Sequence, residues 1–247
     1  MQRALKLVSV NVERANHLER VVPFLEREAP DIACIQEVCE PDVPRFAEAV
    51  GAAHHIFVPM TREFAEGKHH VLGLGIFSLR PLENVQTNYY HKQSEALPDS
   101  SHYEPATYNN PHRFVLSCEV THDDVRYRFA TTHFTWSSGG QATNLQRTNM
   151  QHLLHILDGF GDFILCGDFN APRGGEIFGT LAARYTDNIP AHYITSIDGN
   201  LHRAGPLQLM VDGLFTTPEY MVSNVALISG VSDHCAVVAT ISRATSQ

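Results

Sequence analysis

Basic charge is scarce in this chain of 247 residues: lysine and arginine number 18 against 27 aspartates and glutamates, a formal net charge of −9. The total therefore gives no support to non-specific capture of a polyanion through a basic face, although a local positive cleft is compatible with it. Cysteine is scarce as well. The five cysteines, an odd number, stand at positions 34, 39, 118, 166 and 235 without a CxxC pair. That pattern fits buried thiols in a reducing cytoplasm better than a disulfide framework. No run approaches the ~20 apolar residues a membrane span requires, and the opening MQRALKLVSVNV alternates like a strand where a signal peptide would carry its long apolar region. No Pro/Gly/Ser-rich linker, internal repeat or low-complexity tract divides the chain, so residues 1–247 are expected to form a single domain.

What is present is a 43% hydrophobic, 18% charged composition with enough apolar material for a sizeable core. Short β-rich runs occur at Leu5–Val10, Ile32–Gln36, Leu74–Leu79, Arg113–Val120, Arg126–Thr132, Phe163–Cys166, Val211–Phe215, Val225–Ser229 and Ala236–Ile241. Helical periodicity marks Leu18, Val21, Val22 and Leu25, where Pro23 predicts a kink or a late start, and Gln141–Leu157. Strands outnumber helices, and the helices fall between groups of strands. This predicts an α/β fold of two packed sheets with outer helices over a doubly wound single sheet. Gln86–His112 is polar, tyrosine-bearing and aperiodic, and reads either as a substrate-shaping loop or as a solvated insertion; Ile189–Gln208 is equally irregular.

The chemistry collects at the ends of apolar strands. In Phe163-Ile-Leu-Cys-Gly-Asp-Phe-Asn-Ala-Pro172, Asp168 and Asn170 follow the strand two residues apart, so an extended chain points both to one side. An Asx turn would explain the same residues. Comparable placements recur: Asn11 ends the first strand, Glu37 the second, His133 follows another, Asp212 lies within "LMVDGLF", and Ser232-Asp233-His234 precedes the last strand. Each alone has an ordinary explanation as turn, surface acid, core histidine or cap; together they predict one site. Several carboxylates sharing a cleft raise one another's pKa and require compensation. A hard divalent cation, Mg²⁺ or Mn²⁺, suits oxygen donors of this kind, leaving the histidines as acid–base groups.

The ordered set Asn11, Gln36-Glu37, Thr132-His133, Gly167-Asp168-x-Asn170, Asp212 and Ser232-Asp233-His234 resembles the endonuclease/exonuclease/phosphatase superfamily with its DNase-I-like fold. The resemblance implies a four-layer α/β/β/α sandwich, two mainly antiparallel mixed sheets face to face with outer helices, and a site at one rim. It implies a Mg²⁺-dependent phosphoester hydrolase in which Glu37, Asn11 and Asp233 hold metal. His234, oriented by Asp212, takes the proton of the attacking water or acts on the phosphate. Asp168 and Asn170 position nucleophile and phosphoryl oxygens, and His133 bonds the phosphate or assists the leaving group. Trp136 is expected to stack on substrate or fill an edge pocket, and Arg113 is a candidate phosphate contact, whereas Arg80 is expected to be structural. Lys68-His69-His70 reads as a solvated loop and the His152/His155 pair as helix surface. The acidic total and scarce arginines favour a small-molecule or lipid-headgroup phosphoester over nucleic acid. The alternatives are a DNA or RNA nuclease of the same superfamily and a non-catalytic binding protein on this fold.

Overall fold

The structure is a computed structural model and describes residues 4–244 apart from residues 66, 93 and 102. Among the described residues the strands are β1 (Leu5–Asn11), β2 (Ile32–Cys39), β3 (His54–Ala65), β4 (Lys68–Ser78), β5 (Glu83–His91), β6 (Asp99–Ser101), β7 (Arg113–His122), β8 (Val125–His133), β9 (Ile164–Asp168), β10 (Thr186–Asp187), β11 (Asp212–Thr216), β12 (Tyr220–Ile228) and β13 (Ala236–Arg243). The α-helices are α1 (Leu18–Glu28), α2 (Val43–Val50), α3 (Asn144–Asp158) and α4 (Glu176–Ala182). One sheet runs β12-β13-β1-β2-β4-β3-β6 and the other β10-β11-β9-β8-β7-β5. Pairing is antiparallel except for β1 with β2, β3 with β6 and β8 with β9. The first and last of these parallel pairs enclose α1 and α3 in their connections, as parallel neighbours require.

Period-two alternation builds all four layers. Leu5 and Leu7 of β1, Leu74 and Ile76 of β4, Leu116 and Cys118 of β7, and Ile164 and Cys166 of β9 meet between the sheets. Their chain neighbours point outward: Val8 and Val10 pack with Val21, Phe24 and Leu25 of α1 and Phe46 of α2, and Val115, Ala130 and Leu165 pack with Leu153 and Leu157 of α3 and Phe178 of α4. The result is the α/β/β/α sandwich. Each fully buried Leu, Val or Phe contributes about 1.5–3 kcal/mol. All five cysteines are buried and free. Among the described residues no helix is long and apolar enough to cross a membrane.

Several expectations need correction. Helix α1 runs through Pro23, whose ring lies on the exposed face, because Val21, Phe24 and Leu25 bury the opposite stripe. Helix α3 begins at Asn144, with Thr143 as an extended N-cap in a capping box with Gln146. The long tyrosine-bearing segment is part strand: β5 reaches His91 and β6 follows at Asp99. Lys68, His69 and His70 belong to β4, paired to the unforeseen β3, although Lys68 and His69 are exposed. Helix α2 was unforeseen too. Residues Ile189–Gln208 do lack regular structure, His152 and His155 are exposed on α3, and Arg80 is structural, donating to Asp31 Oδ1 at 2.8 Å and His122 Nδ1 at 3.1 Å.

Candidate active site

The alternation that fills the core also carries polar residues to the rim. Asn11 ends β1 in phase with the inward Leu5 and Leu7, and Asp168 ends β9 in phase with Ile164 and Cys166. In the β9 sheet Asp168 stands in register with Asp212 on one side and His133 on the other, so three adjacent strands present them side by side. Close approach here requires Gly167, at φ +138°, since a Cβ would lie 2.1 Å from the Thr132 carbonyl oxygen. Across the gap, Gln36 of β2 donates to Thr131 Oγ1 at 2.9 Å, tying the sheets together just below the rim.

Strict alternation would turn Glu37 away from this rim. Instead the β2–β4 register shifts between Ile35 and Val38 and Glu37 takes φ +57°, a bulge that brings its carboxylate into the cleft. The Asn11 amide nitrogen donates to Glu37 Oε1 at 3.1 Å and to Asp168 Oδ2 at 3.2 Å, while its oxygen accepts the Glu13 N–H at 3.0 Å. Asn11 thus bridges two carboxylates through its NH₂. Asn170, at φ +49°, donates its N–H to Asp168 Oδ1 at 2.7 Å and its amide to the Phe134 carbonyl at 3.0 Å. The Asx turn and the site are therefore the same structure.

His234 Nδ1 lies 2.7 Å from Asp212 Oδ2, and its Nε2 lies 3.9 Å from Asp168 Oδ2. His133 Nε2 stands 3.5 Å from the same Asp168 oxygen and 3.8 Å from Glu37 Oε1. Burial favours the neutral His234 ring, but Asp212, Asp168 and Asp233 overcome it and hold its pKa well above the ordinary value. His133 is lowered, first by burial and then by the Arg113 charge. Burial raises Asp168 against the pull of both histidines. Glu37 is lowered despite its burial, through His133, Arg14 and the Asn11 amide. Asp233 is raised to about 6 by burial and by Glu13 and Glu37, against His234.

The cleft holding these groups has a volume of about 200 Å³. Its lining adds residues that the sequence did not reveal. Arg14 lies 3.2 Å from Glu13, 3.4 Å from Glu63 and 4.0 Å from Glu37, and Glu63 is pushed up to about 7 by burial, with Arg14 opposing. Glu13 and Arg14 occupy the left-handed region at φ +45° and +65°, a strain that sites often hold. Glu13 follows Asn11 at the spacing that joins Asp168 to Asn170, a signal available in the sequence; Glu63 and Tyr108 had none. Of the outer candidates, Trp136 lines the cleft half-buried, and Arg113 lines it with both terminal nitrogens bonded to backbone carbonyls.

The donors suit a divalent cation. Glu37 and Asp233 offer hard carboxylate oxygens in a cleft where acids outnumber arginines, and ligand atoms of Glu13, His17 and Asp233 lie within 4.8 Å of one another, as do those of Asp168, Asp212 and His234.

Two facing sheets with a rim of carboxylates and paired histidine define the DNase-I-like class of fold. The chain belongs to the Endonuclease/Exonuclease/phosphatase family, whose model matches residues 8–234; members of that family are typically hydrolases of phosphoester bonds that use divalent metal. No curated protein matches the sequence. Among solved structures, an endonuclease/exonuclease/phosphatase from Beutenbergia cavernae DSM 12333 is similar, with 18% identity, a TM-score of 0.76, and coverage of 98% of this chain and 72% of that one. The catalytic domain of human Nocturnin with bound sulfate is also similar, at 18% identity and TM-score 0.70, covering 99% and 96% of the two chains. The mannosyl-6-phosphatase of Bacteroides thetaiotaomicron VPI-5482 shares 13% identity at TM-score 0.68, covering 96% of this chain and 99% of that one. At these identities the likeness is one of fold.

Proposed function

We propose that the chain, acting as a single catalytic domain, is a Mg²⁺-dependent hydrolase of small-molecule or lipid-headgroup phosphoesters, with Mn²⁺ as a substitute. The observation that carries this reading is the convergence of His234, held 2.7 Å from the buried Asp212, with Asp168, His133 and Glu37 in one cleft of about 200 Å³. Glu37 and Asp233 would hold the cation, which supplies charge neutralisation for the phosphoryl oxygens and the departing oxygen; Asn11 steadies the Glu37 carboxylate. Carboxylates on both nitrogens of His234 favour its cationic ring, so the Nε2 proton is donated to a phosphoryl oxygen. Asp168, fixed by the Asn170 N–H and facing both histidines, orients the attacking water and accepts its proton. His133 supports the leaving group, Asn170 lines the phosphate side, and Arg113 adds positive charge behind His133.

A narrow cleft with more acids than arginines supports a compact substrate over a nucleic-acid duplex, whose backbone calls for a broad basic face. Five free, buried cysteines support action in the reducing cytoplasm. Turnover of a small phosphoester reporter is expected to vanish on exhaustive chelation and to return with Mg²⁺ or Mn²⁺. Turnover untouched by chelation would contradict the reading.

A further inference from the structure

Arg113 is an unusual cation. It is 3% exposed and no carboxylate pairs with it among the described residues. Its Nη1 donates to the His133 carbonyl at 3.1 Å and its Nη2 to the Tyr108 carbonyl at 3.0 Å. One planar guanidinium therefore joins the end of β8, where His133 stands, to the segment 103–111, which also lines the cleft through Tyr108 and Pro111. A lysine ammonium cannot span two such acceptors in a fixed fork.

Tyr108 meets Trp136 edge-on, with ring centroids 5.0 Å apart and planes at 84°. Its hydroxyl faces Arg203 Nη2 at 3.5 Å. The two rings are half-buried, and they line the cleft instead of joining any of the three apolar cores. The Tyr108 segment is fastened around them: His91 Nε2 and the Asn109 carbonyl lie 3.2 Å apart, and the Asn110 amide donates to the Asp99 carbonyl at 3.0 Å. Trp136, three residues beyond His133 in the chain, lines the same cleft as the residue placed at the leaving group. The volume of about 200 Å³ falls below the roughly 300–1,000 Å³ of pockets for drug-sized ligands. Beside a phosphoryl group it takes one ring, with anything larger left in the open mouth of the cleft.

Resting on the phosphoester reading above, we infer that Tyr108 and Trp136 form a leaving-group subsite for a single flat, unsaturated ring, and that Arg113 is the positioning residue holding this subsite in register with His133. Aromatic side chains recognise such rings through stacking and edge contacts, and the Arg203 guanidinium adds a planar cation at the rim.

Phenylphosphonate and methylphosphonate test the inference, since their carbon–phosphorus bonds resist hydrolysis and the two differ in the ring. Calorimetry with Mg²⁺ present gives their affinities, and Trp136, the single tryptophan, reports the wall by its emission. Wild type is expected to bind phenylphosphonate about tenfold more tightly than methylphosphonate, within the range of measured base–aromatic stacking. Tyr108→Ala is expected to erase that preference and leave methylphosphonate affinity within about twofold, as loss of a ring contact alone requires. Arg113→Lys, charge retained, is expected to keep the fold, shift Trp136 emission and reduce the preference. Equal affinities in wild type, or full preference in Tyr108→Ala, would overturn the subsite. Wild-type emission and preference in Arg113→Lys, or its failure to fold, would overturn the positioning role. The hydrolase reading fails separately: phenylphosphonate preference without Mg²⁺-dependent turnover of any phosphoester would remove that reading and leave a ring-binding subsite.

Discussion

Two carboxylates define what His234 can do. Asp212 fixes Nδ1 at 2.7 Å, and Asp168 faces Nε2 at 3.9 Å. His234→Ala is therefore expected to lower kcat by about 10²- to 10⁴-fold, the range for a positioned proton donor. The variant should still fold, with a stability loss of about 1–3 kcal/mol from leaving Asp212 without its buried partner. Near wild-type kcat in this variant would contradict the mechanism. Glu37 is held in the cleft by the Asn11 amide and a strained backbone at φ +57°. Glu37→Gln keeps the shape and removes the charge. Calorimetric Mg²⁺ affinity is expected to fall by at least about tenfold, as loss even of outer-shell partners does, and unchanged affinity would remove Glu37 from the metal site.

At the scale of elements, the site is readable where it follows strand phase. Asn11, His133, Asp168 and Asp212 lie on inner faces at strand ends, and counting by two from apolar neighbours finds them. Glu37 was legible as a residue type at a strand end, but its direction comes from a bulge that alternation argues against. Strand β3 escaped notice because His54, His55, Pro59 and the register shift between Pro59 and Thr61 break its pattern, and Glu63 escaped with it. Tyr108 was illegible for a different reason: its place is set by an Arg113 bond to its backbone carbonyl, which no side-chain pattern records. The helix behind the site offers a local test. Thr143 accepts the Gln146 N–H at 3.1 Å as the N-cap of α3, so Thr143→Ala is expected to cost about 1 kcal/mol and about 2–4 °C in Tm. An unchanged Tm would show that tertiary packing alone sets this terminus.

For the whole molecule, net charge and cleft size point the same way. A formal charge of −9 repels a polyanion at long range, and acids including Glu13, Glu37, Glu63, Asp168 and Asp233 line the cleft against arginines 14, 113 and 203. That excess suits divalent metal and a compact phosphoester. Duplex DNA is accordingly expected to bind weakly even at low salt, where basic faces bind most strongly. The most direct test of the account is Mg²⁺-dependent hydrolysis measured side by side on a small aryl phosphodiester and on duplex DNA carrying an abasic site, with His234→Ala as the blank. Metal-dependent turnover of the small phosphoester, absent from the blank, is expected, with little cleavage of the duplex. Cleavage of the DNA alone would contradict it and make the protein a nuclease despite its acidic cleft.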